Sequence, residues 1–244
     1  MKDKIHKIKN KQRSTARTFS FLTVVAVVMV ITPNMIDVHF SAAAAISFLG
    51  IFLSISFFVV ALLFKRRAKK MDRLKSGENL LVHFEMTEEM QKKYAQTLRD
   101  ESKMKNKATM WLVGILFVII TIPFLFFLEK DEIGGFLLTM GAVLLIVFAA
   151  SIFFPVHYYK KNLNGDKQIM IGEKYAYFNG YFHNWDYPLS GLSKIKQIRK
   201  PFPGIHLVYY YTDLTWRNTH DIKIPLPEDF DAKPLISRIK RANK

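Results

Sequence analysis

Apolar and polar positions in this chain are segregated into long blocks instead of alternating. Apolar runs extend from Phe19 to about Ile36, Ala42 to Phe64, Met110 to Leu128 and Gly135 to Phe154. A helix needs roughly 20 apolar residues to cross a hydrocarbon layer about 30 Å thick, so the pattern predicts four transmembrane helices. The last three runs contain no ionisable residue, whereas the first weakens at Thr32, Pro33 and Asn34. The links within the first pair and within the second pair are short, which predicts two helical hairpins. Small residues at four-residue spacing in the second span, Ala43 with Ser47 and Gly50 with Ser54, suit close helix approach. Pro123 breaks the hydrogen-bond ladder of the third span, and Thr121 is placed to satisfy the freed groups.

The intervening segments follow other periods. Leu80, Val82, Phe84 and Met86 alternate with Leu81, His83 and Glu85, the mark of a half-buried strand. Thr87 then reads as a helix N-cap, with Glu88 and Glu89 in the first turn and a stripe of Met90, Tyr94 and Leu98. A lone strand needs a host sheet, and the C-terminal region offers one. There Gln168–Gly172, Lys174–Phe178 and Tyr181–Trp185 are strand-like, with Asn179-Gly180 as a two-residue hairpin turn. Asn164-Gly165 reads as a further turn. Ser190–Arg199, read as one strand or a pair, Ile205–Tyr211 and Asp221–Ile224 complete the strands. A closing helix starts near Asp229 and buries Phe230, Leu235, Ile236 and Ile239.

Charge orients the spans. Residues 1–18, 65–108 and 155–244 hold all but one of the 36 Lys and Arg, and the exception is Lys130. By the positive-inside rule those three segments and both termini are cytoplasmic, in a cell (plasma) membrane. The formal net charge of +16 is then explained by anionic membrane lipids on that side, and no nucleic-acid partner is needed. The expected units are a basic N-terminus at 1–18, spans one and two in 19–64, a strand-plus-helix insert at 65–108, spans three and four in 109–154, and a β domain at 155–244. A signal-peptide reading of the start, with Ala42 and Ala44 as a cleavage site, is disfavoured because the second apolar run begins at once.

Chemistry is sparse. The chain has no cysteine, which excludes disulfides, thiolate catalysis and cysteine-based metal sites. No HExxH, G-x-S-x-G, Walker or G-x-G-x-x-G pattern occurs, and Asp229 and Asp231 read as helix-start acids. No metal or cofactor is expected. Two surfaces stand out. Lys194, Lys196, Arg199 and Lys200 form a basic strip suited to anionic headgroups or an acidic partner. Tyr175, Tyr177, Tyr181, Trp185, Tyr209, Tyr210 and Tyr211 form an aromatic set whose alternate members belong in a core.

The order of strand, hairpin, Trp-containing strand, further strands and final helix over Lys167 to Ile239 resembles bacterial pleckstrin-homology-like (PH-like) domains of YcxB-like and related membrane proteins. It rests on Tyr175–Asn179, on Trp185 followed by Leu189 and Leu192, on Leu207–Tyr211, and on Ile224-Pro225 before the helix. The resemblance covers under a third of the chain. It implies a membrane α-helical protein carrying a small cytoplasmic β-rich PH-like domain with a C-terminal helix, with Trp185, Leu189, Leu192 and Tyr209 in that domain's core. It also implies an interaction, scaffolding or regulatory role without catalysis, with a cytoplasmic protein partner. The competing expectation is a subunit of a membrane transport or export complex. The spans carry no charged group at midplane depth, so a polar path would need a homo-oligomer or other assembly.

Overall fold

The computed structural model describes residues 8–35, 39–212 and 216–243. Lys2, Lys4, Lys7, Ile36, Asp37 and Lys244, which figure in the charge pattern or the first apolar run, lie outside the described residues. Four long helices are present: α1 (Lys11–Ile31), α2 (Phe40–Ser76), α3 (Glu88–Phe127) and α4 (Glu132–Leu163). All four are long and apolar enough to cross a membrane. At ~1.5 Å per residue, α2 and α3 measure ~56 and ~60 Å. Each therefore extends well past its apolar run, α2 at its C-terminal end and α3 at its N-terminal end. The first helix stops at Ile31, five residues before the apolar run was expected to end, where Pro33 sits in a 3-10 turn (Thr32–Asn34).

The caps explain the boundaries. The Asn10 side chain accepts from the Arg13 N–H at 3.2 Å and starts α1. Gly77, at φ +88, ends α2 in the left-handed conformation that glycine adopts without penalty. Thr87 Oγ1 accepts from the Met90 N–H and opens α3 as the sequence predicts.

Each hairpin packs within itself, and neither packs extensively on the other. In the first, Ala16, Ala26, Gly50, Ala61 and Ala68 are buried along the seam. Ser47 Oγ donates to the Val30 carbonyl at 3.2 Å. A Cβ on Gly50 would lie 2.8 Å from Val30 Cγ2 and 3.1 Å from the Ala26 carbonyl. The small-residue spacing of the second span thus marks a close backbone approach. In the second hairpin Pro155 has no N–H to give the Ser151 carbonyl one turn earlier, and the Asn106 amide of α3 donates to that carbonyl at 2.7 Å. The expected role of Thr121 beside Pro123 is corrected: its buried hydroxyl finds no partner among the described residues.

Among the described residues seven strands form two antiparallel sheets. The first has the order β1 (Leu80–Glu85), β2 (Gln168–Gly172), β3 (Tyr175–Phe178), β4 (Tyr181–Asn184). The second has the order β5 (Ser190–Ile198), β6 (Gly204–Thr212), β7 (Arg217–Pro225). The strand before α3 is therefore hosted by the C-terminal sheet, with Phe84 opposite Ile169 and Glu85 opposite Gln168. A closing helix, α5 (Ala232–Ala242), begins at an Asp231 N-cap. Asn179 and Gly180, both at positive φ, make the β3–β4 turn. The strand expected over Asp221–Ile224 is longer, because it pairs with β6 along its whole length.

Period two sorts the first sheet between two cores. Ile169, Ile171, Ala176 and Phe178 face the second sheet, α5, and the Met90–Tyr94–Leu98 stripe of α3. Met170, Tyr175, Tyr177 and Phe182 face the other way, onto Met71 and Leu74 at the end of α2. Trp185 and Tyr209 are core residues, 5.9 Å apart by ring centroids, and Leu192 packs half-buried against them. Leu189 is a correction. It is 66 % exposed, because its left-handed backbone (φ +62) turns the side chain outward where the chain enters β5.

Gly50→Val should destabilise the chain by about 1–3 kcal/mol through overpacking, whereas Gly114→Ala and Gly141→Ala, which meet no atom within 4 Å, should be neutral. Thermal unfolding in detergent distinguishes them. Asn106→Ala should cost about 1–2 kcal/mol by orphaning the Ser151 carbonyl. That cost should shrink in a Pro155→Ala background, which restores the helix's own donor, and a double-mutant cycle measures the difference.

Candidate functional site

The polar ends of all four helices meet the sheets, and three assemblies occupy that junction. The first is a clamp on α2. Arg67 donates through Nε to Gln12 Oε1 at 2.9 Å and through its terminal nitrogen to the Phe182 carbonyl at 2.8 Å, and it lies 5.8 Å from the Phe64 and Phe182 ring centres. Lys70 pairs with the Asp186 carboxylate at 2.8 Å and also donates to the Asp186 carbonyl. The Tyr187 hydroxyl donates to the Leu63 carbonyl at 3.2 Å. Burial raises the Asp186 pKa, but its bonds and charges with Lys70 and Lys174 outweigh this and hold the carboxyl below its usual value. At the same end of α2, Asp72 accepts from the Asn10 amide and pairs with Arg13 at 2.6 Å.

The second assembly is a buried amide node. Gln91 Nε2 donates to the Asn162 carbonyl at 3.0 Å and to Asn179 Oδ1 at 3.2 Å. Asn179 Nδ2 donates to the same Asn162 carbonyl at 2.8 Å, and its oxygen accepts from the Lys167 N–H at 3.3 Å. One node thus ties together α3, the end of α4, the turn at Asn164-Gly165 and the β3–β4 hairpin. Neutral amides held in low dielectric by several partners are costly to disrupt.

The third is a cleft of about 770 Å³ between the start of α1, the end of α4 and the first sheet. Lys9, Lys11, Lys160 and Lys161 line it with His157 and Tyr181. Lys161 Nζ lies 5.0 Å over the Tyr181 ring. Glu85 and Asp166 are its acids. Asp166 accepts from the Tyr177 hydroxyl and from the Gln168 N–H at 3.2 Å. Burial, followed by this bond, raises the Tyr177 pKa.

The four residues of the basic strip are brought to one exposed edge. Lys194 and Lys196 stand outward on β5 on either side of the buried Ile195, and Arg199 and Lys200 are exposed in the connection to β6. The strip's far end is near Phe202, whose ring is 6.1 Å from that of Tyr94. Tyr94 lies 16 residues before Met110, so this end is about 24 Å along α3 from the apolar run. The aromatic set is dispersed: Tyr175 and Tyr177 against α2, Trp185 and Tyr209 in the main core, Tyr210 under Arg217 at 3.8 Å, and Tyr211 exposed beside His220.

Three of the described histidines are held by partners within the fold. His83 bonds Gln168, and His206 pairs with Asp221. His183 lies 3.3 Å from the Tyr209 hydroxyl. Among the described residues no group of three or more His, Asp or Glu could hold a metal ion.

Sequence reading missed the clamp, the amide node and the cleft. Charges after an apolar run read as flanking positives, which hid Arg67 and Lys70. Gln91 sits one residue off the Met90–Tyr94–Leu98 stripe, and its spacing from Ala95, also buried, was the available signal.

Burial, with the neighbouring charges of His220 and Arg67, lowers the His183 pKa to about 3. The unfolded chain, with an ordinary histidine pKa near 6.5, therefore takes up a proton that the folded chain rejects. Stability should be full above about pH 6.5 and fall by up to about 1.4 kcal/mol per pH unit as the pH drops towards 3. Thermal midpoints at pH 7 and pH 5 should show this drop, and His183→Gln should flatten it. In a separate test, Gln91→Ala should cost about 1–3 kcal/mol by deleting two buried hydrogen bonds, although the Asn162 carbonyl and Asn179 Oδ1 each keep one other donor.

A comparison with protein families, curated proteins and solved structures found no family model, no curated protein and no solved structure that matches this chain.

Proposed function

We propose that the chain is a membrane-anchored interaction protein. Its four apolar helices span a cell membrane, its termini lie in the cytoplasm, and its seven strands and final helix form a PH-like domain on the inner face. The reading is non-enzymatic: the domain presents a surface to a protein partner, as a scaffold or regulator. What supports the PH-like assignment is the arrangement of four plus three antiparallel strands closed by a C-terminal helix. What supports the orientation is that the Lys- and Arg-rich ends of all four helices gather on the side of the sheets.

One observation carries the choice of partner. The basic strip ends about 24 Å along α3 from the apolar run, well beyond a headgroup layer that adds only about 5–8 Å to each side of the hydrocarbon. A lipid surface cannot meet Arg199 and Lys200 while the helices span. An acidic protein surface can, and the four cations keep their charge solvated until it docks.

Removing the domain is a poor test. Cutting after Lys161 would strip β1 of its partner strand and uncover Met71 and Leu74. Charge reversal on the exposed strip leaves the fold alone. With Lys194→Glu, Lys196→Glu, Arg199→Glu and Lys200→Glu combined, in-cell crosslinking of the full chain should lose a partner that the wild type captures, with little change in thermal midpoint. Capture of the same partners by both chains would overturn the strip's role. If those shared partners are membrane subunits, the transport or export reading takes its place.

A further inference from the structure

The cleft between the start of α1, the end of α4 and the first sheet is lined by four lysines. Among the described residues, no carboxylate pairs with Lys9, Lys11, Lys160 or Lys161 at ion-pair distance. Among the described lining residues four lysines face two carboxylates, Glu85 and Asp166, and Asp166 also accepts from Tyr177 and the Gln168 N–H, so positive charge is in excess. Lys160 and Lys161 occupy the last turn of α4, where the helix dipole favours them. That does not account for Lys11. It lies in the first turn of α1, which has no acidic residue, and the dipole there disfavours a cation. An anion in the cleft would satisfy both sides at once.

Depth identifies the anion. His157 lies three residues past Phe154, and Lys160 and Lys161 six and seven past it. At ~1.5 Å per residue, the α4 wall of the cleft runs from ~4 to ~10 Å beyond the apolar run. If α4 spans as proposed above, His157 lies at the edge of a headgroup layer about 5–8 Å thick, Lys160 and Lys161 lie just beyond it, and Lys11 and Lys9, eight and ten residues before Phe19, lie further out, so the lysines reach a headgroup phosphate from its solvent side along their flexible stems.

We propose that the cleft holds the phosphate group of an anionic glycerolipid headgroup, with Lys9 and Lys11 gripping it from α1 and Lys160 and Lys161 from α4. This rests on the membrane-spanning reading. The site is distinct from the strip on β5, and a bound headgroup would pin the N-terminal segment of α1 against the end of α4.

The test uses the full chain in detergent, with native mass spectrometry as the readout. Phosphatidylglycerol and phosphatidylcholine are offered at equal concentration, with ~10 mM glycerol phosphate as a competitor, a concentration at which the Debye length is still about 30 Å and bulk screening is weak. The expected result is retention of phosphatidylglycerol over phosphatidylcholine by at least about tenfold, about 1.4 kcal/mol, with no displacement by glycerol phosphate. Lys11→Gln with Lys161→Gln should abolish the preference, as should Lys9→Gln with Lys160→Gln, while Lys194→Gln with Lys196→Gln should retain it. Equal thermal midpoints confirm that the variants fold. An unchanged preference in both cleft variants would overturn the site, and displacement by glycerol phosphate would overturn the lipid source in favour of a soluble phosphate ester. Carbonate extraction of native membranes separates the two levels. A chain that resists extraction but shows no preference sinks the site alone, whereas a chain that is extracted sinks the membrane reading beneath it.

Discussion

Leu80–Glu85 pairs with Gln168–Gly172, and everything between them has to leave the sheet and come back to it. That pairing makes α3 and α4 a hairpin inserted between two neighbouring strands. It also gives β2 a partner on each side, so that every residue of β2 is buried. A loop closure of this length costs little more than a short one, provided the returning strand finds a hydrophobic register. Phe84 opposite Ile169 and Phe84 against Phe230 supply it. The Met86 N–H extends the connection by donating to the Lys167 carbonyl at 2.8 Å.

Because β2 and β3 are apolar on both faces, the first sheet serves two cores. The face towards β5–β7 closes a small sandwich under α5. The other face would be a large exposed patch if α2 did not carry Met71 and Leu74 past its apolar run. The clamp of Arg67, Lys70 and Tyr187 sets the angle at which α2 arrives, and the Gln91–Asn162–Asn179 node does the same for α3 and α4. Both hairpins are thus fixed to the sheet while packing little on each other.

The clamp and the basic cleft sit near the ends of the apolar runs, whereas the exposed strip ends near Phe202, about 24 Å along α3 from the apolar run. In the proposed membrane setting this separates two tasks. Charges close to the apolar runs meet headgroups, and charges near Phe202 meet the cytoplasm. The excess of Lys and Arg is therefore not one undifferentiated surface. Part of it is spent inside the junction, where Arg67 and Lys70 are only partly exposed and bond backbone carbonyls.

The sequence by itself determined the helices, the strands and their order. The four apolar runs, the Thr87 cap, the Asn179-Gly180 turn, the period-two strands and the alternation of Tyr209 with its neighbours are all short-range signals. Each is set by propensity or by one face meeting water or oil. Leu189 misled because a residue beside a turn is placed by its backbone φ and not by its hydrophobicity, and Thr121 because a hydroxyl near a proline need not point at the freed carbonyl. Only the tertiary structure decided that Asn106 answers Pro155, that Gln91 joins Asn162 and Asn179, and that Lys9 and Lys11 come to face Lys160 and Lys161. Those partners are tens to more than a hundred residues apart, and no local period records which polar group will be carried opposite another.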